Sequence, residues 1–269
     1  MMRKRKIDPL LLIGLIIIAG SLFLAIFGNS LAPYDPQEPV GDFSMPPSAD
    51  HWFGTDGSGL DVFSRVLAAP RVDVAIAVTA AIVSAVLGTG VGLYAGYFTG
   101  RFSEIVMRVS DILQSFPVFI LAMVLVTLTG RNVVNLIFVL AFLYTPIFVR
   151  LTRSEVVTQR TRTYVEAARA TGNSEFQIAT RHVLRNSLAP SLVQLSVTVG
   201  FGILLTSGLS FVGAGVRPPT PEWGIMIASG APNIILNEWW TSIFPGIAIS
   251  ITVFGYAAAG NAIERWARK

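Results

Sequence analysis

Six stretches free of Asp, Glu, Lys and Arg recur along this chain, at about 10–33, 74–100, 112–130, 132–149, 186–216 and 239–263. The hydrocarbon core of a bilayer is ~30 Å thick, which an α-helix crosses in ~20 residues. Backbone polar groups in lipid must be satisfied within the segment, so each stretch predicts a helix. The expectation is an all-α membrane protein with six transmembrane helices. Composition agrees, because only 13% of the residues are charged where a soluble domain carries roughly a quarter. The first stretch follows Arg3, Lys4, Arg5 and Lys6 as a signal peptide would. Its apolar part exceeds a signal sequence's roughly 7–15 residues and no small-residue cleavage pattern ends it, so it reads as a retained first helix.

The basic residues set the orientation. With the N-terminus inside, only Arg65, Arg71, Arg131 and Arg217 of the 20 Lys and Arg residues lie outside. Both termini are then cytoplasmic. The chain divides into a cytoplasmic start with the first helix (1–33), an outer loop rich in Pro, Gly and Asp (34–72), and a five-helix membrane domain (73–265). Within the outer loop, Leu60 to Leu67 is expected to form a short helix on the membrane surface. The segment from Phe211 to Trp240, broken by Gly213, Pro221 and Pro232, is expected to be partly re-entrant.

One inner loop, about 154–186, is too structured for a plain connector. Thr163 with Glu166, and Ser174 with Gln177, both fit the S/T-x-x-E/Q capping box. Gly172 between them suits the left-handed residue that ends a helix. The loop therefore reads as helix, tight turn, helix. Two explanations stand side by side: a rigid element that docks a cytoplasmic partner, or local caps with arginines that obey the positive-inside rule.

The segment EAARATG at Glu166 to Gly172, followed by IATRHVLRNSLAP, resembles the EAA loop of permeases in binding-protein-dependent ABC importers. Glu166, Ala167, Ala168 and Gly172 match that pattern, while Arg185 stands where the family usually has proline. FGTDGSGLDVFSRVL (Phe53 to Leu67), DILQSFPVFILAMVL (Asp111 to Leu125) and GLSFVGAGVRPPTPEWGIMI (Gly208 to Ile227) are similar to the second permease subunit of the dipeptide, oligopeptide and nickel branch. Leu60 replaces that branch's usual arginine, and a glycine usual near Pro70 is missing. The resemblance implies a type I ABC importer permease fold in a bacterial or archaeal cytoplasmic membrane. It also implies a second homologous permease, two cytoplasmic ATPase subunits that bind ATP and Mg, and an extracytoplasmic solute-binding protein. Glu166, Ala167, Ala168 and Gly172 would couple ATP hydrolysis to transport. Arg169, one helical turn beyond Glu166, is added on physical grounds. Asp35, Glu38, Asp42, Asp50, Asp56, Asp61, Asp73, Glu222 and Glu238 would give the outer face an acidic docking surface.

The residues also exclude alternatives. A P-loop needs lysine in G-x-x-x-x-G-K-[ST], and lysine occurs only at 4, 6 and 269. Hence ATP and any catalytic residue belong to other chains. There is no cysteine, and His51 and His182 fall on opposite sides of the membrane, so no resident cofactor or metal site is expected. Gly88, Gly92, Gly96 and Gly100 recur every fourth residue, which is a helix-packing row and not a nucleotide loop. Arg108 and Asp111 are expected to pair along one helix at the headgroup level. Trp223, Trp239 and Trp240 suit the outer interface. A secondary transporter would need buried charges in its spans, and an intramembrane enzyme a nucleophile or metal motif. A passive channel would leave the structured loop unexplained. The substrate itself is not legible, with peptides ahead of nickel, opines, glutathione or sugars.

Overall fold

A computed structural model describes residues 9–267; the basic residues 3–6, Arg268 and Lys269 lie outside the described residues. The described residues form helices α1 (Pro9–Leu31), α2 (Val62–Ala68), α3 (Pro70–Tyr97), α4 (Arg101–Ser115), α5 (Val118–Thr129) and α6 (Val133–Gln159). Then follow α7 (Thr163–Ala170), α8 (Glu175–Gln177), a π-helical turn (Ile178–Val183), α9 (Leu184–Ser187), α10 (Ala189–Phe211), α11 (Trp223–Gly230) with a 3₁₀ turn (Ala231–Leu236), and α12 (Trp240–Ala267). By length and apolarity α1, α2 with α3, α6, α10 and α12 can each cross a bilayer, and the bent pair α4 and α5 can supply a sixth span.

The third expected span is the main correction. In place of one helix over 112–130, α4 and α5 meet at 94°. Pro117 favours the corner: its ring disfavours helical backbone at the preceding residue, and Phe116 is extended at φ −84°, ψ 142°. The 12 residues of α5 rise only ~18 Å. Leu60 to Leu67 also departs from expectation. Its helix, α2, runs into α3 through the helical Ala69, with Val62, Ser64, Arg65 and Ala68 buried. It extends the second span and does not lie free on the surface.

The most extensive helix seam joins α3 to α6. A Cβ on Gly88 would sit 2.5 Å from the Phe148 Cβ, one on Gly92 2.6 Å from the Val149 carbonyl, and one on Gly96 2.8 Å from the Val156 Cβ. Three of the four expected glycines thus let two backbones touch, as close-packed membrane helices require. Gly100 does not belong to the row: it precedes α4 and faces open space. Around this pair, α10 packs on α3 and α12, and α1 packs on α12.

At the α2 and α11 end, the 34–61 loop folds over the bundle. Phe53 stacks on Phe244 at 3.8 Å, and the Trp240 indole donates to the Thr55 carbonyl at 3.1 Å. Trp223 and Trp240 are buried in this cap, and only Trp239 is exposed as an interfacial residue would be. The segment α11 with its 3₁₀ turn links α10 to α12 at this same end. Asp61, Asp73 and Glu222 are buried too, so these three acids are not part of any docking surface. Asp61 instead caps α2 through the Ser64 N–H at 2.8 Å and holds His51 at 2.8 Å.

Substitution along α3 separates packing from propensity. Gly92→Ala is expected to destabilise by about 1–3 kcal/mol through overpacking. Gly90→Ala, whose Cβ meets nothing within 4 Å, is expected to be neutral or to stabilise by up to ~1 kcal/mol. Thermal unfolding in detergent distinguishes the two.

Candidate functional site

The α7–α9 loop owes its shape to two local motifs placed back to back. Helix α7 ends in a Schellman closure: Asn173 N–H donates to the Ala168 carbonyl at 3.3 Å and Gly172 N–H to the Arg169 carbonyl at 3.1 Å. This closure requires left-handed backbone at the residue after the cap, and Gly172 has φ +85°. Two residues later, Ser174 and Gln177 form the reciprocal capping box that starts α8. The box expected at Thr163 does not form. There Arg162 is the cap position, without a side-chain hydrogen bond, because Thr163 is already the first helical residue.

The turn packs against the bundle through a small apolar cluster. Val165 and Ala168 from α7 meet Ile178, Ala179 and Val183 from the π-helical turn. These rest on Leu93 and Tyr97 of α3 and Val156 of α6. The loop therefore sits on the end of the α3 and α6 seam. Arg185 lies in a stretch that stays helical from Leu184 to Ser187, as the missing proline implies. The irregularity lies upstream, in the π-helical turn.

Charge adds a clamp that the sequence reading missed. Glu175 accepts from Arg169 Nε at 2.6 Å and Nη2 at 3.0 Å. The Tyr97 hydroxyl donates to the same carboxylate at 2.5 Å. Arg160 reinforces the contact by donating to the Tyr97 carbonyl at 3.2 Å. The guanidinium and phenol hold the Glu175 carboxyl down at about 2, and the carboxylate pushes the Arg169 guanidinium further up. A bidentate pair of this kind gains geometric definition more than energy when exposed. The one sequence clue to Glu175 was its place beside the Ser174 cap.

The five residues singled out thus divide in space. Glu166 and Ala167 are exposed on the outer face of α7, and Ala168 is turned inward to the cluster. Arg169 faces Glu175, and Gly172 forms the turn, where an added Cβ would meet nothing within 4 Å. Asp111 does not pair with Arg108 as expected. Arg150 of α6 reaches it at 2.6 Å, tying α4 across to the neighbouring helix. Among the described residues, no group of three His, Cys, Asp or Glu could hold a metal ion.

A second feature lies beside the corner at Pro117. A cleft of 610 Å³ opens between α4, α5, α6 and α10, walled by residues such as Phe119, Ile147 and Phe201. Gln114, Tyr144, Gln194 and Thr198 contribute its polar groups, and it holds no charged side chain. A mostly apolar, uncharged cleft with a few hydrogen-bonding groups has the make-up of a small-molecule site.

A family model described as the binding-protein-dependent transport system inner membrane component matches residues 88–269. The chain is 38% identical to the probable D,D-dipeptide transport system permease protein of Escherichia coli strain K12, over 96% of this chain and 87% of that one. It is 35% identical to the dipeptide transport system permease protein of Alkalihalophilus pseudofirmus, over 97% and 86%. To a glutathione transport system permease protein of Shigella flexneri it is 36% identical, over 90% and 80%.

The clamp has a defined acid limit. Because the Glu175 carboxyl is held at about 2, its contribution is complete above the ordinary glutamate range and is lost only as pH falls toward about 2. Amide exchange in residues 163–187, corrected for intrinsic rates, is expected to be constant between about pH 5 and pH 8. Glu175→Gln is expected to accelerate it across that whole range; hydrogen-exchange mass spectrometry reads both.

Proposed function

The chain belongs to the family of binding-protein-dependent transport system inner membrane components, and from that premise we propose that it couples ATP hydrolysis on separate subunits to uptake of short peptides. The observation that carries this reading is the α7–α9 loop. It is a rigid helix–turn–helix seated on the α3 and α6 seam, with Glu166 and Ala167 exposed. Such an element suits insertion into a cleft of an ATPase subunit. A push on α7 reaches both helices through Val165, Ala168 and the Glu175 clamp. ATP binding would then shift the bundle between inward- and outward-open populations by differential contact at this loop. ATP and Mg would reside on two such partner subunits.

The positive-inside bias supports an orientation with both termini and the loop in the cytoplasm of a bacterial or archaeal cell. The α2 and α11 end then faces a solute-binding protein. Asp35, Glu38, Asp42 and Asp50, all exposed, remain as acidic groups for that contact. The uncharged cleft is one wall of the path, and a second homologous permease supplies the other. Relatives named for dipeptides and glutathione support peptides as cargo. Gln114 and Gln194 offer hydrogen bonds to peptide amides, which every peptide has whatever its side chains.

Copurification from native membranes tests the assembly: a second permease and P-loop ATPases are expected, with ATP hydrolysis stimulated by a binding protein. Gly172→Asp tests the coupling. The substitution costs about 1–2 kcal/mol of left-handed strain and meets no neighbour within the chain. Membrane insertion is therefore expected to persist while ATP-driven uptake falls to background. Normal uptake by this variant would sink the coupling role.

A further inference from the structure

Two buried acids at the end opposite the α7–α9 loop play no part in this reading. Asp73, on α3, and Glu222, just before α11, are both 0% exposed. They grip the same first turn of α11 from two sides. Trp223 N–H donates to Asp73 Oδ2 at 3.1 Å, Gly224 N–H to Glu222 Oε1 at 3.0 Å, and Ile225 N–H to Glu222 Oε2 at 2.7 Å. The remaining oxygen, Asp73 Oδ1, receives no hydrogen bond from the chain, and its carboxyl neighbour is Glu222.

Helix α10 brings hydroxyls to the same place. A Cβ on Gly202 would lie 3.1 Å from the Ala77 Cβ, so these two residues face one another across antiparallel helices. One turn further along come Thr206 on α10 and Asp73 on α3. The Thr206 hydroxyl is fully buried and unpartnered. Ser210, one turn beyond it, lies beside Glu222.

Among the described residues, no basic side chain balances the two acids. Arg65 of α2 spends its Nη1 on the Pro36 and Pro219 carbonyls, at 2.8 and 3.1 Å, and its Nε is 3.9 Å from Asp56. Arg71 and Arg217 are exposed, and His51 is paired with Asp61. Helices α10 and α11 carry no charged residue, and in α12 charges occur only near its far end. Backbone N–H groups alone do not offset two neighbouring buried negative charges.

We propose that Asp73 and Glu222, with the Thr206 and Ser210 hydroxyls, form a binding site for one cation, which locks α11 onto α3 and α10. An all-oxygen donor set of this kind takes a proton shared between the carboxyls or a small hard metal ion such as Na⁺ or Ca²⁺. The bound charge makes the cap stable, and its loss leaves two carboxylates repelling each other between α3 and α11.

The test uses the full chain in lipid nanodiscs, with unfolding followed by intrinsic fluorescence. Held protons in the folded state are lost as pH rises, so in choline chloride the wild-type midpoint is expected to fall by roughly 3 °C or more between about pH 6 and pH 9. Asp73→Asn, which leaves one carboxylate and supplies an amide donor, is expected to flatten that response. Glu222→Gln provides the same comparison if the first variant does not fold. NaCl or CaCl₂ titrated at about pH 9 separates the sources. Saturable recovery of the wild-type midpoint alone identifies a metal ion, and a pH response that neither salt suppresses identifies the proton. Equal responses of wild type and both variants to pH and to salt would overturn the site.

Discussion

Direct backbone contact between α3 and α6 is the constraint on which the other elements depend. Lipid offers apolar side chains as good a home as protein does, so helices in a bilayer hold together through close packing and not through water exclusion. Gly88, Gly92 and Gly96 remove the side chains that would keep α3 away from Phe148, Val149 and Val156. The paired helices then offer one rigid wall. Helix α10 lies along it, α5 closes beside it, and the α7–α9 loop rests on its end. The hydroxyl of Thr152 on α6, 3.1 Å from that of Ser191 on α10, adds a buried polar tie at the same level.

Much of this was legible in the sequence because membrane helices write themselves in charge-free runs. The apolar stretches place α1, α3, α10 and α12 to within a few residues, whereas α6 runs past its charge-free stretch to Gln159, and the four-residue glycine period names the packing face of α3. Gly172 and the Ser174–Gln177 box locate the turn of the loop, since both are local and owe nothing to tertiary context. What the sequence hid was long-range. The corner at Pro117 sits inside an unbroken apolar run, so hydropathy alone does not see it, although a proline after Ser115 and Phe116 carries the signal. Likewise Arg150 and Asp111 are distant in sequence, and only the fold brings them together in preference to Arg108. The acids of the outer segments read as surface groups by composition, yet Asp61, Asp73 and Glu222 are enclosed because helix caps and N–H groups need them inside.

Charge in this molecule has two distinct uses. At the loop end it is exposed and paired, as in Arg169 with Glu175 and Arg150 with Asp111, where water screens the interaction and the gain lies in geometry. At the other end it is enclosed: Asp61 holds a helix start and a histidine, while Asp73 and Glu222 hold the first turn of α11. Surface pairs of the first kind can break and re-form as helices slide. Enclosed groups of the second kind are held by backbone N–H groups of the helices they cap.

The Schellman closure and the capping box have a mechanical consequence. The paired hydrogen bonds of the Schellman closure and of the capping box begin and end between Ala168 and Gln177, so neither motif is broken when the segment is displaced as a body. Its attachment to the helices, by contrast, runs through a greasy contact and one phenol-to-carboxylate bond. The segment is thus a compact unit with its own internal hydrogen bonds, resting on the bundle through a small apolar contact.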